Sequence, residues 1–424
     1  MDLSSDRSRE IRALASLGRV ELSRAVSGVA GIHASISRGV FAGLDRALGG
    51  WSRSARTIHD AISMAVYTTT AESVEIAGGL AELAADTAGE VPSQTRRGAA
   101  AIGFLNGLIG DQLADERSPL ATEMSLRSGG VRVATTADDL ARAYPDATGH
   151  ITVFLHGLME TEYAWDFGGQ ATYGARLRAD IGSTEVLIRY NSGRHISDNG
   201  RDLAQLLADI VLLWPVPVTS VSLIGHSMGG LVLRSACHTG VESGAYWPSL
   251  VRHTVCLGTP HLGAPMAKGV HVATAALRAT AMTRPFGDFL GRRSDGVRDL
   301  LHGTITADGR NVVDRDAIRQ PAVDNPPLMH TARHLFVTAS ITHDPDHPVG
   351  RLIGDGLVRG SSGRGRDRIR HIGFHGDDGL HIGGAHHFTL LNDDEVHRWL
   401  RERLGPQAQL TARHADLDRG FAVG

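Results

Sequence analysis

One stretch restricts the folds open to this chain more than any other. The apolar run Ser220-Val221-Ser222-Leu223-Ile224 leads directly into Gly225-His226-Ser227-Met228-Gly229, and a helical pattern starts at about Met228. The pentapeptide G-x-S-x-G is common by chance, but a strand before it and a helix after it demand a strand–tight turn–helix unit. In such a turn the serine takes unfavourable backbone angles, and the glycines two residues away on either side let the flanking chains approach. The helix that begins there points free amides and the positive end of its dipole at any negative charge forming beside the serine. Ser227 is therefore the expected nucleophile, and the Met228 N–H an expected oxyanion donor.

The surrounding pattern supplies a sheet for this turn. Ile151–Leu155 is a continuous apolar run of the kind buried in a parallel sheet. Strands are also expected at Glu185–Tyr190, Thr254–Leu257 and Leu335–Ala339, and helices near residues 170–180, Asp198–Leu213, from Met228, and Glu395–Leu404. Strands alternating with helices at this spacing predict βαβ units, hence an α/β fold with a mostly parallel central sheet flanked by helices. A hairpin is expected earlier, with Met124–Leu126 and Val131–Val133 flanking Ser128-Gly129-Gly130. A last strand is expected at Arg368–Phe374. The loop after Ile151–Leu155 reads His156-Gly157-Leu158; Leu158 is assigned the second oxyanion amide, and His156 the task of bracing the loop.

An acid and a base should follow the serine in that order. Gly354-Asp355-Gly356 sets a carboxylate between glycines, and Ala385-His386-His387-Phe388 lies on a loop before the closing helix. Asp355 and His387 are chosen, with His386 and His381 as rival bases and Asp344, Asp346, Asp377 and Asp378 as rival acids. The cluster His371, His375, His381, His386, His387, Asp377 and Asp378 matches no metal-ligand spacing, so neither metal nor cofactor is expected.

The chain has 424 residues, room for a catalytic domain and an appendage. Residues 1–118 read as helical: Leu22, Val26, Val29, Ile32, Ile36, Val40, Leu44 and Leu48 form one stripe. Ile58 to Leu83 carries a second, and Ala99–Leu113 a third. Residues 119–406 are the expected catalytic domain, with 263–330 as an insertion of lid character and 407–424 as a frayed tail. Leu262, Val270, Val272, Leu277, Met282, Phe286 and Phe289 are the insertion's candidates for an acyl groove. A net charge of −3 gives no general attraction to nucleic acid. Cys237 and Cys256 are expected as two buried thiols. The N-terminus shows no signal-peptide pattern and no run is long enough to span a membrane, so a cytoplasmic location is expected, peripheral to membranes or lipid inclusions at most.

Taken together, F-L-H-G-L, G-H-S-M-G-G, L-G-T-P-H-L-G-A-P (Leu257–Pro265), G-D-G-L-V and H-F-T-L-L resemble the bacterial triacylglycerol lipases and esterases of the α/β-hydrolase superfamily. They are also similar to the related hydrolases that act on acylated glycolipid anchors. The resemblance covers roughly residues 123–404. It implies an α/β-hydrolase fold, a Ser227-Asp355-His387 triad, the oxyanion amides of Leu158 and Met228, and a lipid or small ester as substrate. Two other functions fit the same residues: an acyltransferase using the same acyl-enzyme, and a silent lipid-surface binding protein. The N-terminal helices are the candidate surface for lipid or self-association.

Overall fold

The computed structural model describes residues 3–17, 91–263, 294–312, 326–344, 346–368 and 370–405. Its strands are β1 (Ser125–Ser128), β2 (Val131–Val133), β3 (His150–Leu155), β4 (Thr184–Arg189), β5 (Ser220–His226), β6 (Val251–Leu257), β7 (Arg333–Ser340) and β8 (Gly379–Gly383). They form one sheet in the order β2-β1-β4-β3-β5-β6-β7-β8. β1 pairs antiparallel with β2 and β4, and every later neighbour is parallel. The hairpin turn is made by Gly129 and Gly130, both at positive φ (57° and 82°), which only glycine accepts without strain.

The helices are α1 (Leu3–Leu17), α2 (Arg96–Asp115), α3 (Ala137–Ala143), α4 (Tyr173–Ile181), α5 (Ile196–Leu213) and α6 (Met228–Glu242). Then come α7 (Asp295–His302), α8 (Ala307–Val312), α9 (Pro348–Ile353), α10 (Gly360–Gly363) and α11 (Asp394–Leu404). Alternate strand residues serve two cores. Ile151, Val153, Val221 and Leu223 pack with Leu203, Leu207 and Ile210 of α5 and Leu231 of α6. Phe154, Ile224, Val255 and Val337 pack on the other face with Leu177 of α4 and Leu400 of α11. All seven residues of β5 are buried, as a strand covered by helices on both faces must be. Cys237 and Cys256 are free, buried thiols, and burial pushes each up to about 12.

From β3 the chain goes one way to β4 and, after returning, the other way to β5. The strand order therefore reverses between β3 and β5, and the crevice at their carboxyl ends is where ligands bind in open α/β sheets. Leu155 and Gly225 are register partners there, and Gly225 pairs with Cys256 on its other side.

The last strand is Gly379–Gly383, whereas Arg368–Phe374 makes only an isolated bridge, Arg366 to His371. That segment folds back on the preceding turn, where the Ile372 N–H donates to the Gly365 carbonyl (2.9 Å) and Gly373 has φ 104°. The true strand is hidden because glycine bounds it at both ends; a Cβ on Gly379 would run into the ring of Phe336 on β7. The stripes Leu22–Leu48 and Ile58–Leu83 lie outside the described residues, as do 264–293 and 313–325 of the insertion and the tail from 406.

The third N-terminal stripe is α2, and it docks on the segments that follow β3 and β4. Its N-cap is Thr95, whose hydroxyl accepts from Gly98 N–H (3.1 Å). Gly103, Gly107 and Gly110 lie against Thr161, Met159 and Asn191, with no room for a Cβ at any of them. Asn191 then donates to the Gly110 carbonyl (2.8 Å), and Ser294 to that of Gly107 (2.7 Å).

Candidate active site

Ser227 leaves the end of β5 with φ 51° and ψ −122°, and is the N-cap of α6. A non-glycine residue at such angles stores roughly 1–3 kcal/mol of strain. The surroundings hold it there. The Ser227 N–H donates to the Leu257 carbonyl (2.8 Å). A Cβ on Gly225 would stand 2.5 Å from Gly230 N, and one on Gly229 would stand 2.5 Å from the Leu155 carbonyl oxygen. The spacing of G-x-S-x-G is thus a packing requirement on both sides of the serine. Met228 is the first helical residue, so its N–H lies ahead of the helix's own hydrogen-bond ladder.

Asp355 and His387 form a buried pair. His387 Nδ1 lies 2.8 Å from Asp355 Oδ2, and each residue is 1% exposed. The Asp355 backbone carbonyl also accepts from His387 N–H (3.0 Å). Gly354 and Gly356, at φ 67° and 101°, wrap the chain so that Leu357 and Val358 N–H donate to Asp355 Oδ1 at 2.9 and 2.7 Å. Burial pulls the His387 imidazole down, but the charge and hydrogen bond of Asp355 outweigh it and hold the ring above its ordinary value. This pair meets the serine turn at two places. The His387 ring abuts Gly258, next to Leu257, and it lies 4.7 Å from the ring of His226, the neighbour of Ser227.

The rival residues other than Asp377 are engaged elsewhere. His386 caps the 3-10 turn His387–Leu391, accepting from Thr389 N–H (3.3 Å). His381 is held between the hydroxyls of Thr338 (2.9 Å) and Ser340 (3.0 Å). Asp378 pairs with Arg333 (2.5 Å), Asp346 with Arg351 (3.1 Å), and Asp344 accepts from Asp346 N–H (2.9 Å).

The loop after β3 closes the site. His156 is fully buried, with Nδ1 donating to the Gly157 carbonyl (2.9 Å) and Nε2 accepting from Tyr190 N–H (3.2 Å). Burial pushes its imidazole down to about 4, so it braces the loop as a neutral ring. Gly157 lies against Ser227, where a Cβ would stand 3.0 Å from the serine Cβ. Met159 N–H donates to Ser192 Oγ (3.0 Å), and Met159 has φ 63°. Leu158 N–H, between these two, meets no acceptor among the described residues.

The site also holds Glu160 and His226, to which the sequence pattern assigns no role. Glu160 Oε2 accepts from Gly157 N–H (2.6 Å) and lies 3.1 Å from His226 Nδ1. His226 Nε2 in turn lies 3.3 Å from the His387 carbonyl oxygen. The signal was a carboxylate three residues after a strand-end glycine, and an aromatic base at the x of G-x-S.

A mostly parallel sheet in this order, with a strained serine at the exit of β5, is the α/β-hydrolase fold. Residues 186–283 match the family described as PGAP1-like alpha/beta domain. The chain is similar to a Burkholderia plantarii protein named triacylglycerol lipase, at 33% identity over 35% of this chain and 38% of that one. A Pseudarthrobacter phenanthrenivorans protein of the same name is 34% identical over 28% and 36%. The matches thus span little more than a third of the curated relatives' length. Among solved structures, a Bacillus licheniformis lipase in its mature form aligns with a TM-score of 0.40 and 21% identity, over 60% of this chain and 92% of that one.

Proposed function

We propose that the chain is a serine hydrolase of carboxylic esters, acting on lipid esters through an acyl-enzyme. The observation that carries this reading is Ser227, held at φ 51° beside a buried His387–Asp355 pair. His387 takes the proton of Ser227 Oγ as that oxygen attacks the ester carbonyl. The amides of Leu158 and Met228 hold the tetrahedral oxyanion, a donor of this kind contributing ~3 kcal/mol. The C–O bond to the alcohol breaks as His387 returns the proton to the leaving oxygen. Water, deprotonated by His387, then attacks the acyl-enzyme and releases the acid and Ser227. Asp355 orients His387 throughout and stabilises the imidazolium.

The names of the curated relatives support lipids as the substrate class. The packing of α2 on the β3 loop favours a catalytic unit that begins before residue 118. No helix among the described residues is long and apolar enough to cross a membrane.

The test is turnover of p-nitrophenyl esters from acetyl to palmitoyl. Activity that rises with acyl length supports the lipid reading. Activity confined to short acyl groups replaces it with a small-ester esterase, and no turnover on any ester overturns it.

A further inference from the structure

Glu160 is an acidic residue at the active site for which the triad chemistry has no use. Its carboxylate stands between two elements that must be aligned for that chemistry, the loop after β3 and the serine turn after β5. One oxygen, Oε2, serves both: Gly157 N–H donates to it at 2.6 Å, and His226 Nδ1 lies 3.1 Å from it. The short loop has three consecutive amides. Gly157 N–H is taken by Glu160, Met159 N–H by Ser192 Oγ (3.0 Å), and Leu158 N–H alone meets no acceptor among the described residues. A loop anchored on either side of the Leu158 amide is built to present that amide. The anchoring works against strain, since Met159 sits at φ 63°.

We propose that Glu160 is a positioning residue: its carboxylate ties the Gly157 amide to His226, and so holds the Leu158 N–H in place for the oxyanion. This inference rests on the proposed ester hydrolysis. A charge-assisted bond from a carboxylate to a backbone amide is roughly twice as strong as a neutral one, which suits a fixed strut. The charge also reaches the base. Around His387 lie Asp355, Glu160, His226 and His386; both carboxylates favour its protonated form. Burial pushes the Glu160 carboxyl up, but His226 and the Gly157 amide outweigh it and hold the group below its ordinary value, hence ionised at neutral pH.

The experiment compares wild type, Glu160→Gln and Glu160→Ala in the full chain, on the p-nitrophenyl ester that wild type turns over best. Glu160→Gln keeps the shape and loses the charge. Its kcat is expected to fall about 10- to 100-fold, part of the ~10²–10³ that a whole oxyanion donor contributes, with KM within about twofold. The sign on pH follows from the charge. His387 must be neutral to accept the proton, and Glu160 favours its protonated form, so removing the charge moves the acid limb of kcat/KM to lower pH. Glu160→Ala leaves the Gly157 amide without its acceptor and is expected to lose more; should it fail to fold, Glu160→Gln decides. A kcat within about twofold of wild type in Glu160→Gln, or an acid limb that does not move, overturns the proposal. A merely structural role would lower the melting temperature and leave the limb in place. Labelling of Ser227 by a fluorophosphonate separates the two levels. Labelled wild type with a normal Glu160→Gln removes this inference alone, whereas wild type that neither labels nor turns over ester removes the proposed function with it.

Discussion

Ser227→Ala is expected to lower ester turnover roughly 10⁴- to 10⁶-fold, leaving only what the oxyanion amides and substrate binding supply. The size follows from the covalent step: without Oγ no acyl-enzyme forms, and water must attack the ester directly. The fold should tolerate the change. Alanine keeps the Cβ at the same angles, and the Ser227 N–H bond to Leu257 is a backbone bond. Ser227→Gly separates strain from chemistry. It should be equally inactive yet more stable than Ser227→Ala, because glycine takes φ 51° and ψ −122° without the roughly 1–3 kcal/mol that a side chain costs there. Equal melting temperatures for the two variants would mean that the turn stores no strain.

Asp355→Asn is expected to lower kcat by roughly 10³- to 10⁴-fold with KM little changed. The amide is isosteric, and its carbonyl oxygen can still accept from Leu357 and Val358 N–H. Its NH₂ group then faces His387 Nδ1, which must become the acceptor, so the ring's proton moves to Nε2, the nitrogen needed as base. The imidazolium also loses its counter-charge. Since Asp355 is what raises His387 against the downward pull of burial, any residual activity should show its acid limb at lower pH. A loss below about tenfold would mean that another group orients the base.

How far these features could be read from the sequence depends on the range of the physics behind each. The serine turn was legible because its requirements are local: an apolar strand, glycines at fixed offsets and a helix start all fall within a dozen residues. The turn at Asp355 was legible for a similar reason, since flanking glycines mark a turn that aims amides at a carboxylate. The sheet was legible where strands are buried on both faces, as in β3 and β5. It was misread at the edge, where β8 carries Gly379, His381 and Gly383 in place of an apolar run and takes its stability from Phe336, Thr338 and Ser340 of β7. Glu160 escaped notice because its partners lie in different elements, and no spacing rule relates a carboxylate after β3 to a histidine at the end of β5. The docking of α2 was hidden likewise: Gly103, Gly107 and Gly110 weaken a helical stripe, and their worth appears only against Thr161, Met159 and Asn191.

The central claim is that Ser227 forms the covalent intermediate, and active-site labelling tests it most directly. The chain is incubated with an alkyl fluorophosphonate, its intact mass is measured, and the modified residue is located in the peptide spanning Ser220 to Arg234. The account predicts one adduct per chain, on Ser227, absent from Ser227→Ala and formed more slowly below the titration of His387. An adduct on another residue, or labelling that persists in Ser227→Ala, would contradict it.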